Sequence, residues 1–258
     1  MTLRRLALAA ASIAVAALGC HEVNLDLSND SNEISLYDDL YAVSTVDDRH
    51  AVAVGYYGAV YFTDDGGTTW SKGKTDTIQS IYDVAMADAK RGWVVGQRGL
   101  IMRTEDGGRT WTRQPNLKEK EGSHLFAVTA IDADNAWVIG EWGTRIRTRD
   151  GGKTWEDHSF TIDEEHPQFV WLAPVEQEKV RAGAKVYEDV GLTDVTCRRP
   201  PSTRCWLIGE FGYVFYSDDR GETWKRSQIE GSVEIPPVTF GYNKLTLTED
   251  QREPLRKF

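Results

Sequence analysis

The sequence is poor in the parts that build redox centres, metal sites and nucleic-acid surfaces. Its 258 residues include three cysteines and no C-x-x-C, and histidines 21, 50, 124, 158 and 166 show no metal-ligand spacing. His158, Glu164, Glu165 and His166 form the one His/acid cluster in the sequence and read as a solvated loop. No G-x-S-x-G, Walker or dinucleotide-binding loop is present, so no catalytic residue, no metal and no cofactor is expected. Basic side chains are outnumbered 30 to 40 by acids, a balance that repels nucleic acid and anionic headgroups. The longest apolar run, Leu6 to Leu18 with Ser12 inside it, falls short of the ~20 residues that span a bilayer as a helix.

That run follows Arg4 and Arg5, and residues 1–19 read as an export signal. Gly19 before Cys20 resembles the bacterial lipobox, which implies a lipidated Cys20 as the mature N-terminus. Ala17 stands where that pattern usually has Leu and leaves cleavage without lipidation open. Losing Arg4 and Arg5 takes 30 basic side chains to 28 against 40 acids, a formal charge of −12. Residues 20–34 are polar and read as a tether. The expected location is the periplasmic face of a bacterial membrane. Cys197 and Cys205 remain as a pair, and export favours a disulfide between them across a hairpin.

Residues 35–229 are organised by a repeat. T-D-D-G-G-T-T-W (63–70), T-E-D-G-G-R-T-W (104–111), T-R-D-G-G-K-T-W (148–155) and S-D-D-R-G-E-T-W (217–224) all fit [S/T]-x-D-x-G-x-x-W. A G-x-x-G pair precedes each box, its first glycine fifteen residues before the box tryptophan: Gly55, Gly96, Gly140 and Gly209. Short alternating apolar runs around these markers predict four strands per unit, for example Leu125–Ile131, Ala136–Ile139, Thr144–Thr148 and Thr154–Ser159. A four-stranded antiparallel meander recurring about every 41 residues is the pattern of a β-propeller blade. The fold class is therefore all-β, a propeller with four evident blades. An insertion at 160–190 contains a charged run, Glu176 to Lys185, suited to one or two helical turns. Residues 230–258 contain two candidate strands, Val238–Phe240 and Lys244–Thr248. The insertion and tail build an irregular fifth blade, or the four blades form an arc completed by a second copy; the sequence leaves both open.

The boxes read as fasteners. Asp65, Asp106, Asp150 and Asp219 bind their own turn backbones, and Trp70, Trp111, Trp155 and Trp224 pack over the hairpins. Trp93, Trp137 and Trp206, each three residues before a first glycine, read as packing between blades. In an up-and-down meander the boxes share one end of the blades, while the G-x-x-G turns, the insertion and the tail share the other. The residues inside and beside those turns vary: Tyr56, Tyr57, Gln97, Arg98, Glu141, Trp142, Glu210 and Phe211, with Trp171 from the insertion. Exposed aromatics with an arginine among them have the composition of a protein-binding face.

Boxes and G-x-x-G turns together resemble the BNR or Asp-box propellers, in particular the photosystem II stability and assembly factor family, over Leu36 to about Ile229. The resemblance implies a propeller that binds a protein during assembly of a membrane complex. The photosynthetic members have seven blades and an arginine-rich surface, whereas only Arg98 is basic among these turn residues. Sialidases also carry the boxes, but this chain has no R-I-P motif, and Arg145, Arg147 and Arg149 cluster on one strand and its turn. The expected function is a non-catalytic, membrane-tethered propeller that binds an envelope protein or complex. The alternative is a carbohydrate-binding or glycoside-hydrolase-like propeller using Trp142, Trp171, Glu141 and Glu210.

Overall fold

A computed structural model describes residues 38–227 and 229. The expected signal sequence, Cys20, the expected tether and the tail from 230 lie outside the described residues. Every sheet among the described residues lies within 33–258.

Four antiparallel sheets of four strands follow one another in chain order. The first blade comprises β1 (Leu40–Thr45), β2 (Ala51–Gly55), β3 (Val60–Thr63) and β4 (Ser71–Lys72). The second has β5 (Ile81–Met86), β6 (Gly92–Gly96), β7 (Ile101–Thr104) and β8 (Thr112–Arg113). After a short helix, α1 (Leu117–Glu121), the third has β9 (Leu125–Ala130), β10 (Ala136–Gly140), β11 (Arg145–Thr148) and β12 (Glu156–Asp157). The insertion contributes a 3₁₀ turn, Phe169–Trp171, and helix α2 (Pro174–Arg181), which overlaps the charged run Glu176 to Lys185 and begins two residues before it. The fourth blade has β13 (Leu192–Cys197), β14 (Cys205–Gly209), β15 (Val214–Ser217) and β16 (Lys225–Arg226). The insertion adds one isolated bridge, Thr161 to Tyr187, so among the described residues it makes no fifth blade.

Strand alternation gives each blade two apolar faces, and consecutive blades pack forward face to rear face. Val52, Val54 and Val60 of the first blade meet Ile81, Val84, Met86, Val94 and Met102 of the second. Trp93, Val95 and Ile101 meet Leu125, Val128, Val138 and Ile146 of the third, and Ala127, Trp137 and Ile139 meet Leu192, Val195 and Leu207 of the fourth. Each fully buried side chain of this size contributes about 1.5–3 kcal/mol. The inner strands β1, β5, β9 and β13 pack side by side in that order. The two outermost faces differ. Trp206 and Ile208 on the forward face of the fourth blade are 37% and 43% exposed, and Leu40 and Val43 on the rear face of the first are 50% and 63% exposed. The interblade role expected of Trp206 is thus not fulfilled by any described blade, while Trp93 and Trp137 fulfil it at 0% and 1% exposure.

The boxes behave as fasteners. In the third, Thr148 Oγ1 donates to Asp150 Oδ1 and accepts from Gly152 N, while Thr154 N and Oγ1 donate to the two Asp150 oxygens at 2.9 and 2.7 Å. The same set recurs at Asp65, Asp106 and Asp219. Bonds from Thr154 hold the Asp150 carboxyl down at about 2, and those from Thr69 do the same for Asp65. Trp111 and Trp155 are buried, Trp70 and Trp224 half-buried. Cys197 and Cys205 face each other across β13 and β14 and form the expected disulfide, with Cα atoms 4.1 Å apart.

Candidate functional site

The G-x-x-G turns are built by one device used four times. The carbonyl that ends each connection into the inner strand accepts from the first variable residue: Asp39 from Tyr56, Ser80 from Gln97, His124 from Glu141 and Gly191 from Glu210, at 2.8–3.0 Å. A Cβ on the first glycine would collide with that same carbonyl oxygen, at 2.1 Å for Gly140 and His124. Glycine is required there because two backbones touch. The second variable residue is then forced into the left-handed region: Tyr57, Arg98, Trp142 and Phe211 have φ of 52°, 54°, 52° and 53°. Bulky side chains rarely adopt this conformation, which costs about 1–2 kcal/mol per residue. All four side chains are exposed.

Around the third and fourth turns the insertion turns these side chains into a cleft of about 790 Å³. Trp142 and Phe211 lie on the blade side, and Trp171, Leu172, Ile162 and Tyr187 come from the insertion, with Lys179, Lys185, Glu176 and Asp189 also lining it. Phe169 and Ile162 are buried and anchor the insertion. Gln177 Nε2 donates to the Phe169 and Leu172 carbonyls, and Arg181 stacks over the Phe169 ring at 5.3 Å. Beneath, Glu188 is buried, pairs with His166 at 3.0 Å and accepts from Tyr213 Oη at 2.7 Å. The Tyr213 hydroxyl is pushed up to about 12 by burial and by that carboxylate. Trp142 and Trp171 remain 48% and 47% exposed, and Phe211 is 77% exposed.

The structure therefore brings together Trp142, Trp171 and Phe211 of the expected face. Tyr56 and Tyr57 form a separate aromatic pair on the first blade, with centroids 4.4 Å apart, and Gln97 and Arg98 sit on the second. Glu141 and Glu210 are turned to structural use: their Oε2 atoms accept from the backbone N–H of His124 (2.8 Å) and of Gly191 (2.7 Å). The arginine cluster is likewise spent on packing. Arg147 and Arg149 both donate to Glu222 of the next blade at 2.6 Å, which draws the Glu222 carboxyl down to about 2. Arg145 stacks over Phe160, and burial lowers its guanidinium to about 10. His158 pairs with Glu156 and not with His166. The sequence reading missed the insertion's lining residues Ile162, Leu172, Lys179, Lys185 and Tyr187, since no repeat fixes their register; Trp171, a tryptophan outside every repeated position, was their one signal.

Comparison with known proteins bears on this geometry. Residues 71–168 match the family model described as photosynthesis system II assembly factor YCF48, and residues 61–72 and 215–226 match the BNR/Asp-box repeat. The chain is an all-β propeller that carries the BNR/Asp-box repeat and resembles the photosystem II assembly factor. A search of curated proteins finds no match. Among solved structures, this Asp-box propeller is similar to YCF48 bound to D1 peptide, at 22% identity and TM-score 0.41 over 73% of this chain and 82% of the other. YCF48 from Cyanidioschyzon merolae matches at 16% identity and TM-score 0.43, over 76% and 87%. An ancestral GH74 enzyme matches at 13% identity and TM-score 0.53, covering 75% of this chain and 24% of its own, a likeness of fold.

Proposed function

We propose that this Asp-box propeller is an exported, non-catalytic protein, held at the periplasmic face of a bacterial membrane through a lipidated Cys20, that binds an envelope protein or membrane complex as an assembly or stability factor. The observation that carries the reading is the aromatic cleft formed by Trp142, Phe211 and Trp171. Its rings stay exposed, two of them on strained backbone, and such anchors supply most of the energy at protein interfaces. The family match over residues 71–168 supports an assembly role. A non-catalytic reading is supported by Glu141, Glu210 and the three arginines, all engaged in holding the fold.

The test places photo-crosslinkers at Trp142 and, on the opposite face, at Thr69, in intact cells. Selective capture of an envelope protein from position 142 is expected. Equal labelling from both positions, or none at 142, overturns the docking face. Labelling of Cys20 by a palmitate analogue, abolished by Cys20→Ser, checks the anchor.

A further inference from the structure

The forward face of the fourth blade is built like its three counterparts. Trp206 pairs across the sheet with Thr196, and Ile208 with Asp194, as Trp137 pairs with Thr129 and Ile139 with Ala127. Trp137 and Ile139 are buried by the next blade, while Trp206 and Ile208 are substantially exposed. At the other end, Leu40 and Val43 occupy the places of the buried Ile81 and Val84. The forward face of the fourth blade is therefore left open, and the rear face of the first is open along its inner strand, at Leu40 and Val43, while Ala53 and Tyr61 farther out on it are buried.

We propose that residues 230–258 of the same chain occupy the space between these faces as an incomplete fifth blade, with Val238–Phe240 and Lys244–Thr248 packed on Trp206 and Ile208. Curvature favours this occupant over a second copy. Arg199, in the loop between β13 and β14, donates from Nη2 to the Met86 carbonyl at the end of β5, 2.9 Å away, past the intervening third blade. On the inner strands, Asp83 of the second blade feels the charge of Asp194 of the fourth. One arginine side chain spans from the second blade to the fourth, as in a small ring. Two copies would make eight blades, the upper end of the usual range of about 4 to 8, around a wider channel. Chain length agrees. Three blade strands occupy 24 residues in the second and third blades, from Ile81 to Thr104 and from Leu125 to Thr148, and 230–258 supplies 29. β5 begins nine residues after β4 ends at Lys72; the same step from Arg226 reaches Ile235, three residues before Val238. Val238 and Phe240, then Leu245 and Leu247, alternate with threonines, which gives the segment one apolar face.

The test places a benzophenone amino acid at Ile208 of the full chain and irradiates a mixture of light and heavy-isotope protein. The expected adduct joins position 208 to a peptide within 230–258, carries a single isotope composition and has monomer mass. A mixed-isotope adduct, an adduct to another protein, or no adduct in folded protein overturns the proposal. Independently, Leu245→Glu combined with Leu247→Glu speeds amide exchange in Leu192–Cys197 by about tenfold or more; unchanged exchange overturns it.

Discussion

Four side chains, Tyr57, Arg98, Trp142 and Phe211, hold left-handed backbone that asparagine or glycine would hold at lower cost. Phe211 is 77% exposed, so little packing opposes its replacement. Phe211→Asn is expected to raise the unfolding free energy by about 0.5–1 kcal/mol and to weaken partner capture, read by urea denaturation alongside crosslinking yield from position 142. The box aspartates act in the opposite sense. Asp65 and Asp150 are held at about 2 by hydrogen bonds from Thr69 and Thr154, below their ordinary 3.8. Their stabilisation is complete above about 4 and is lost as pH falls toward 2. A thermal midpoint that drops across that window, and drops less in Asp150→Asn, is the expected result. These positions were legible in the sequence because the box is strict. The left-handed conformation was not, since Tyr, Arg, Trp and Phe carry no signal for it.

At the level of the blade, alternation and the boxes placed the strands to within a few residues. β11 and β12 begin one and two residues inside the expected Thr144 and Thr154. Helix α1 was not anticipated. It is five residues long, capped by Asn116, which accepts from Glu119 N, and closed by Gly122, too short for helical periodicity to register. Blades are joined by more than apolar faces. Buried Arg147 reaches Glu222 of the next blade, and Trp137 Nε1 donates to the Arg220 carbonyl at 3.0 Å. Removing Glu222 strands a buried guanidinium, whereas removing exposed Arg149 does not. Glu222→Ala is expected to cost about 2–3 kcal/mol, with Glu222 itself partly solvated, and Arg149→Ala about 1 kcal/mol or less; urea midpoints of the two variants distinguish them.

For the molecule as a whole, the four-bladed order and the segregation of boxes from variable turns followed from the repeat. The cleft did not, because most of its wall comes from an insertion with no register. The inner strands carry their own pH dependence. Burial pushes the Asp83 carboxyl up to about 6, with the nearby Asp194 charge adding to the effect and amide bonds from Val128 and Val84 opposing it. A raised carboxyl makes the folded state the better proton binder, so its contribution weakens as pH rises from about 4 to 6. Asp83→Asn is expected to flatten the stability profile across that interval, measured as thermal midpoint against pH. The strut from Arg199 to Met86 has a mechanical consequence. It crosses between blades at the box end, in the loop closed by the disulfide of Cys197 and Cys205. The loop that carries Arg199 is thus fixed twice, by the disulfide at its base and by the Met86 carbonyl at its tip, so the second and fourth blades are held at a set distance at the box end.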